Sequence, residues 1–147
     1  MMKEILFRAK TINDNPKWVY GYYAKTAHDI GIPSGIPIIV DDNGDWDKID
    51  PETLCQFTGL YDKDGTRVFE GDILQISKRR GVLGAYYDSD IPNSCNVTVK
   101  WDWCAWMWEM ISKDKRYISF PNAWCHYYCE VIGNIYDNPE LLEGENK

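Results

Sequence analysis

Cysteine and histidine are the side chains of this sequence with the greatest potential for metal binding or nucleophilic catalysis. The chain has 147 residues, of which five are cysteine and two are histidine. Cys125, His126 and Cys129 are close enough in sequence to suggest zinc. A closed zinc site takes four ligands, however, usually from two local pairs, and the other cysteines stand singly. We therefore predict no metal site and interpret the thiols as reduced, small and buried.

Catalysis by this chain would need a base close to a nucleophile. His28 stands next to Asp29, and His126 stands between Cys125 and Tyr127. A Cys–His pair stays open at this point, because such partners need not be neighbours in the chain. No nucleophile motif, glycine-rich phosphate loop or metal quartet accompanies it. We therefore predict that the protein is not an enzyme and uses no cofactor.

Two aspartate-rich segments have the composition of a calcium loop. The EF-hand pattern requires Asp at position 1, Gly at position 6 and Glu at position 12. With Gly65 as the glycine, these ends are Leu60 and Gly71. With Gly44 as the glycine, the first position is Ile39. Neither segment fits, and the sequence predicts turns there instead of calcium sites.

The charge of the chain argues against nucleic acid as its partner. The net charge is −7 and the sequence pI is about 4.8, a field that repels phosphate. Acidic residues crowd the segment 41–52, and Lys78, Arg79 and Arg80 form a basic run. We interpret both as solvated loops. The alternative hypothesis is a nucleic-acid-binding barrel module in which these three cations contact phosphates and exposed aromatic side chains stack on bases.

Composition predicts a folded, β-rich protein. Hydrophobic residues make up 44% of the chain and aromatic residues 14%, which suits large side chains packed across strands. The first ten residues alternate apolar and charged positions, unlike a signal peptide. No apolar run approaches the roughly 20 residues of a membrane span. We predict a cytoplasmic protein that makes no contact with membranes.

Alternation and turn signals assign most of the elements. Strands are predicted at 3–10, 18–25, 36–40, 66–70, 73–77 and 129–138, with a hairpin within 96–110 and an inserted loop at 78–95. Short helical turns are predicted near 51–54 and 139–143, each with a proline at its first position. Gly59, Gly65 and Gly71 are predicted turn glycines, and Gly71 a bulge or barrel corner. Within the predicted strands, Gly21 indicates a bulge or a close backbone approach and Gly133 indicates a kink.

Four tryptophans form a stripe on the predicted hairpin, namely Trp101, Trp103, Trp106 and Trp108. A two-residue loop at Cys104-Ala105 pairs Trp101 with Trp108, whereas a four-residue loop over 102–105 shifts this pairing by two. Both keep the four side chains on one face, because side chains alternate with a period of two. The stripe is a candidate core or a candidate interface.

Four blocks of the sequence resemble a known family when read in order. They are KEILFRAK…WVYG, IDPETLCQFTGLYDKDGTRVFEGDIL, VTVKWDWCAWMWEM and EVIGNIYDNPELL. Together they are similar to the YopX family of phage and prophage proteins, over about Lys3 to Leu142. The segments 28–35 and 78–95 depart from the family pattern. The resemblance implies a small SH3-like barrel joined to an N-terminal β element, with self-association and no established activity.

These observations combine into one prediction of organisation and function. The chain is predicted to be a single YopX-like unit over 1–147, with an N-terminal β lobe at 1–50, a barrel-like lobe at 51–142 and a frayed tail at 143–147. The predicted function is that of a non-catalytic phage or prophage accessory protein in the cytoplasm of a bacterial host. It would act through protein–protein interaction or self-assembly, as a homo-oligomer or on a host or phage protein.

Overall fold

The computed structural model of the chain describes residues 4–29, 31–77, 94–102, 105–112, 115–119 and 129–143. In chain order the strands are β1 Phe7–Lys10, β2 Trp18–Lys25, β3 Pro37–Val40, β4 Trp46–Lys48, β5 Cys55–Tyr61, β6 Arg67–Phe69, β7 Asp72–Ser77, β8 Ser94–Asp102, β9 Ala105–Ser112, β10 Lys115–Ser119 and β11 Cys129–Asn134. Two short 3-10 turns lie at Pro51–Thr53 and Pro139–Leu142. The predicted mostly-β class is confirmed, and both predicted helical turns take the 3-10 form.

The strands form two sheets. Their orders are β4-β3-β2-β1-β5-β6 and β10-β9-β8-β7-β11. The chain divides into two compact units, Met1–Phe57 and Thr58–Lys147, and β5 runs across the boundary between them. Within the described ranges neither sheet closes into a barrel, so the SH3-like barrel predicted for 51–142 is not confirmed.

The first unit has a small apolar core on one side of β1–β3. Ala9, Ile39 and Ile49 are buried there. Phe7, Val19, Tyr23 and Leu54 pack against them. Because side chains alternate along a strand, the residues between these core positions point to the other side of the sheet. Trp18, Tyr20 and Tyr22 on β2 are such residues.

The segment Asp50-Pro-Glu-Thr is tied to β1 by its side chains and main chain. The Asp50 carboxylate accepts a hydrogen bond from the Glu52 amide, at 3.0 Å. The Thr53 hydroxyl donates to the Asp50 carbonyl at 2.7 Å and accepts from the Lys10 amide at 2.8 Å. This segment, which belongs to the sequence blocks of the family resemblance, therefore forms a capped turn that holds the chain beside β1.

The acidic segment 41–52 is not a loop throughout, which corrects the sequence interpretation. β4 (Trp46–Lys48) pairs with β3, with Val40 opposite Trp46 and Ile38 opposite Lys48. The turn between them is a tight one of the type that Asp-Asn-Gly favours, and it returns the chain for a further strand. All three residues of β4 are exposed, so its acidic and basic side chains remain solvated.

In the second unit β7 lies between β8 and β11, and its centre is buried at Ile73 and Leu74. Val97 and Val99 on β8 are buried as well. The register of β11 against β7 shifts between Val131 and Gly133, so the kink predicted at this glycine is confirmed. β10 was not predicted, because its sequence KRYIS has no clear boundary from the preceding strand.

Candidate interaction face

One side of the β1–β4 sheet carries exposed aromatic side chains. Tyr22 is paired with Val40 on β3, and Val40 is paired with Trp46 on β4. Cross-strand partners point to the same side of a sheet, so Trp46 joins the aromatic residues of β2. We call this surface the aromatic face and define it by Trp18, Tyr20, Tyr22 and Trp46.

The aromatic face is open to solvent over most of its area. Tyr20 is 48% exposed, Tyr22 is 54% exposed and Trp46 is 42% exposed, whereas Trp18 is half-buried. Isolated exposed aromatics are ordinary on protein surfaces. A group of them on the same side of one sheet is the kind of patch that marks an interaction surface.

Trp18 is held at the margin of the aromatic face by two cations from β1. The Arg8 guanidinium lies 4.7 Å from the centroid of the Trp18 ring, and the Lys10 ammonium lies 5.5 Å from it. A cation over an indole face is attracted by the ring quadrupole. Arg8 is buried, whereas Lys10 is partly exposed. The β1 margin of the aromatic face is therefore positively charged.

The opposite margin is an acidic turn between β3 and β4. One Asp41 carboxylate oxygen accepts from the amides of Asn43 and Asp45, at 2.9 and 3.0 Å, and so organises the turn. Gly44 has a φ of +83°, which glycine adopts without strain. Asp42, which follows Asp41 in the chain, is exposed. Because β3 and β1 flank β2 on different sides, carboxylates and cations border the aromatic face at opposite margins.

Gly21 lets β2 and β3 approach closely beneath the aromatic face. A Cβ atom at this position would collide with the Val40 carbonyl group. The sequence predicted a bulge or a close backbone approach at Gly21, and the close approach is what the structure contains. Any larger residue at position 21 would push β3 away from β2, the strand that carries Tyr20 and Tyr22.

In the second unit, two aspartates of the family motif, Asp62 and Asp72, accept hydrogen bonds from main-chain amides. Asp62 is 1% exposed. One of its carboxylate oxygens accepts from the Asp64 and Thr66 amides, at 2.9 and 2.8 Å, and the other accepts from the Val131 amide at 3.0 Å. The carboxylate therefore closes the β5–β6 turn and joins it to β11. In this aspartate-rich segment, which has the composition of a calcium loop, the Asp62 carboxylate thus accepts hydrogen bonds from three main-chain amides.

The Gly71-Asp72 junction has the same structural character. The Asp72 carboxylate accepts from the Phe69 amide at 2.7 Å. Gly71 has a φ of +79°, donates to the Val99 carbonyl at 2.7 Å and accepts from the Ile135 amide at 2.9 Å. Gly59 and Gly65 also have φ values near +80°. All three predicted turn glycines thus adopt the left-handed backbone that a turn or bulge requires.

The closing motif of the chain forms a bonded turn after β11. The Asn134 side-chain oxygen accepts from the amides of Tyr136 and Asp137, at 3.0 and 2.9 Å. The Asn138 side-chain oxygen lies 2.5 Å from where a Cβ of Gly133 would be, so a larger residue there would displace the Asn138 side chain. The asparagine side chains of IGNIYDNPELL therefore stabilise this turn.

The tryptophan stripe is only partly described by the structure. Trp101 is opposite Trp106, and Val99 is opposite Trp108, which is the register of the longer loop alternative. Trp101 is 53% exposed, although Val97 and Val99 on the same side of β8 are buried. Trp106 and Trp108 are placed by backbone pairing, and Trp103 lies outside the described residues.

The remaining predicted site residues fall in different places. The basic run Lys78, Arg79 and Arg80 lies outside the described residues, as do Cys125 and His126. Cys55 and Cys129 are buried thiols, and the Cys55 thiol donates to the Thr53 carbonyl at 3.2 Å. In the part of the chain that the structure describes, no three His, Cys, Asp or Glu side chains are grouped to hold a metal ion. No helix among those residues is long and apolar enough to cross a membrane.

The sequence analysis did not predict that β2 carries an exposed aromatic surface. The alternation of its residues predicts a strand with Trp18, Tyr20 and Tyr22 on one side. The signal that could have identified a surface was the crowding of large aromatics on the side opposite to the apolar core positions. That signal becomes convincing only when β4 is known to add Trp46 to the same side.

Comparison with known proteins identifies the family. The pattern of the YopX protein family matches residues 7–143. The chain therefore belongs to the YopX family, as its sequence blocks predicted. It is also similar to a protein of known crystal structure, protein EF1440 from Enterococcus faecalis, with 22% identity, a TM-score of 0.47, and coverage of 96% of this chain and 99% of that chain. No curated protein matches the chain.

Proposed function

We propose that this protein is a non-catalytic phage or prophage accessory factor that acts in the bacterial cytoplasm through protein–protein interaction, self-assembly included. The observation that carries the proposal is the aromatic face of the first unit. Tyr20 and Tyr22 on β2 and Trp46 on β4 are exposed on the same side of the sheet, with Val40 of β3 between Tyr22 and Trp46. Such side chains provide large contact areas at a low cost in conformational entropy, which is why they are frequent at the centres of interfaces.

We propose no catalytic activity because the polar residues of the described motifs make hydrogen bonds that hold the fold together. Asp62 and Asp72 are buried and bond to amides, and Thr53 is occupied by a capped turn. A general base or nucleophile must instead reach a substrate. Binding, which needs only an exposed complementary surface, is the activity that the aromatic face supports.

The mass of the protein in solution tests this function. Size-exclusion chromatography with light scattering should give a mass above the 17.1 kDa of one chain, rising with concentration. Tyr22→Ser should reduce that mass. Tyr61→Ser is the matched control, because Tyr61 is 41% exposed and lies outside the aromatic face. A strict monomer at every concentration would exclude self-assembly, and an equal effect of both variants would exclude the aromatic face.

A second candidate function is the binding of single-stranded nucleic acid. The observation in its favour is that Lys10 and Arg8 lie over Trp18, next to the exposed Tyr20. Aromatic side chains bordered by cations are typical of surfaces that stack bases and contact the phosphate backbone. Fluorescence anisotropy with labelled single-stranded oligonucleotides at low salt tests it. Binding that Tyr20→Ser weakens would support this candidate, and no binding at low salt would exclude it.

A further inference from the structure

We propose that a second copy of this chain covers the aromatic face, related by a two-fold axis along β2, with Lys10 of each copy opposite Asp42 of the partner subunit. This inference rests on the proposed self-assembly and specifies its geometry. A two-fold interface uses the same surface on both subunits, so that surface must be complementary to itself. The aromatic face meets this requirement in its apolar centre and at its two charged margins.

The positions of the charges follow from strand order and register. β1 and β3 lie on opposite sides of β2. Lys10 is paired with Trp18 from one side. On the other side Asp42 follows two residues after Val40, which is paired with Tyr22. Rotation about an axis along β2 exchanges these two sides, so each Lys10 approaches the partner subunit's Asp42 while the tyrosines meet near the axis.

The overall charge makes such local pairing necessary. Each chain carries a net charge of −7, so two copies repel one another at long range. An apolar patch with uniformly negative margins would strengthen this repulsion. The cations of β1 instead provide attraction where the acidic turn of the other copy arrives, and they select this orientation over others.

Charge reversal tests the proposal in the full-length protein. Lys10→Glu and Asp42→Lys should each raise the dissociation constant from sedimentation equilibrium about tenfold, because each reversal places like charges at both symmetric contacts. An equimolar mixture should regain the affinity of the unsubstituted protein, since both contacts are then attractive. The two substitutions change the net charge by two in opposite directions, so the mixed pair carries the same total charge as two unsubstituted copies.

Two controls separate this geometry from a general charge effect. Lys25→Glu and Asp47→Lys make the same changes at exposed positions of β2 and β4 that point to the other side of the sheet. Neither should alter association by more than about twofold. Thermal unfolding of every variant verifies that the fold is retained. A general charge effect would make Asp42→Lys associate more tightly, because it lowers the net negative charge, and that result would overturn the proposal.

The outcomes also distinguish this proposal from the function on which it rests. A wild-type protein that is monomeric at all concentrations overturns both self-assembly and the two-fold pairing. A wild-type oligomer that Tyr22→Ser disrupts, but that neither charge reversal weakens, overturns the pairing alone. Failure of the mixture to regain affinity has the same meaning. Weakening by each reversal together with recovery in the mixture supports the pairing.

Discussion

The Asp62 turn of the second unit and the aromatic face of the first unit differ in the burial and the chemistry of their key side chains. The Asp62 carboxylate is a group that could act as a base or a metal ligand, but it is buried and accepts hydrogen bonds from three main-chain amides. On the aromatic face the side chains have no reactive groups, yet Tyr20 and Tyr22 are about half exposed. Residues that define a family pattern can therefore specify its fold, while the surface available for binding lies elsewhere.

This difference has a physical origin. A buried carboxylate is tolerated only when hydrogen bonds replace its hydration, so its neighbours are strictly constrained. An exposed tyrosine on a strand has no such requirement, because its polar tip is solvated and its ring covers the strand. The first kind of residue produces a recognisable motif, and the second leaves only a bias in composition.

The largest effect on stability is expected at the Asp62 carboxylate. Asp62→Ala leaves three main-chain amides without their acceptor, two in the β5–β6 turn and one in β11. We expect a loss of about 4 kcal/mol in the free energy of unfolding, measured with urea. Asp64→Ala is the control, because Asp64 is exposed in the same turn and its loss should cost under about 0.5 kcal/mol. Equal costs would contradict the role assigned to Asp62.

A smaller effect is expected at Gly71, where backbone conformation and crowding act together. Gly71→Ala puts a Cβ at a φ of +79° and 3.3 Å from the Tyr136 ring, so we expect a loss of about 2 kcal/mol. Gly65→Ala has nearly the same φ, +80°, but its Cβ would meet nothing within 4 Å. It should cost about 1 kcal/mol, which is the backbone contribution alone. The difference between their thermal unfolding midpoints measures the crowding, and identical midpoints would show that it is absent.

The capped turn of the first unit should give a loss of about 1.5 kcal/mol. Thr53→Val keeps the side-chain shape but removes the hydroxyl that bonds to the Lys10 amide and the Asp50 carbonyl. Thr66→Val provides a comparison at an exposed threonine whose main-chain amide donates to the Asp62 carboxylate, a bond that the substitution keeps. Urea unfolding of both should show a cost for Thr53→Val alone. A stable Thr53→Val variant would mean that the turn does not depend on its hydroxyl.

The smallest effect on stability is expected on the aromatic face. Tyr22→Ser removes an exposed ring that lies on the side of β2 away from the apolar core, so the free energy of unfolding should change by less than about 0.5 kcal/mol. Measurement at a concentration at which the protein is monomeric excludes any contribution from association. A loss comparable to that of Asp62→Ala would mean that the ring supports the fold, and it would remove the contrast between the two regions.

Much of the fold could be predicted from the sequence where local rules determine the structure. Alternation placed β2 at Trp18–Lys25, and the proline after Asp50 placed the 3-10 turn. β4 was missed because its three exposed residues lie in an acidic segment, and only pairing with β3 makes them a strand. Barrel closure was inferred from the family resemblance, which carries no information about contacts between sheets.

The candidate site was less predictable than the fold. The four tryptophans of the stripe lie close together in sequence, so a pattern along the chain indicates them directly. In the described part of the stripe, however, Trp101 is exposed, whereas Val97 and Val99 on the same side of β8 are buried. The aromatic face is assembled from two strands that are separated by β3 in space and by more than twenty residues in sequence. A pattern read along the chain does not register such a surface, because it depends on strand order.

Hydroxyl-radical footprinting at low and high protein concentration tests the central claim most directly. Tyr20, Tyr22 and Tyr61 are all exposed, so each should be oxidised when the protein is dilute. If the aromatic face binds a second copy, oxidation of Tyr20 and Tyr22 should fall as the concentration rises, while oxidation of Tyr61 stays constant. Unchanged oxidation of Tyr20 and Tyr22 in a protein that has associated, or an equal fall at Tyr61, would contradict the claim that this face is the interaction surface.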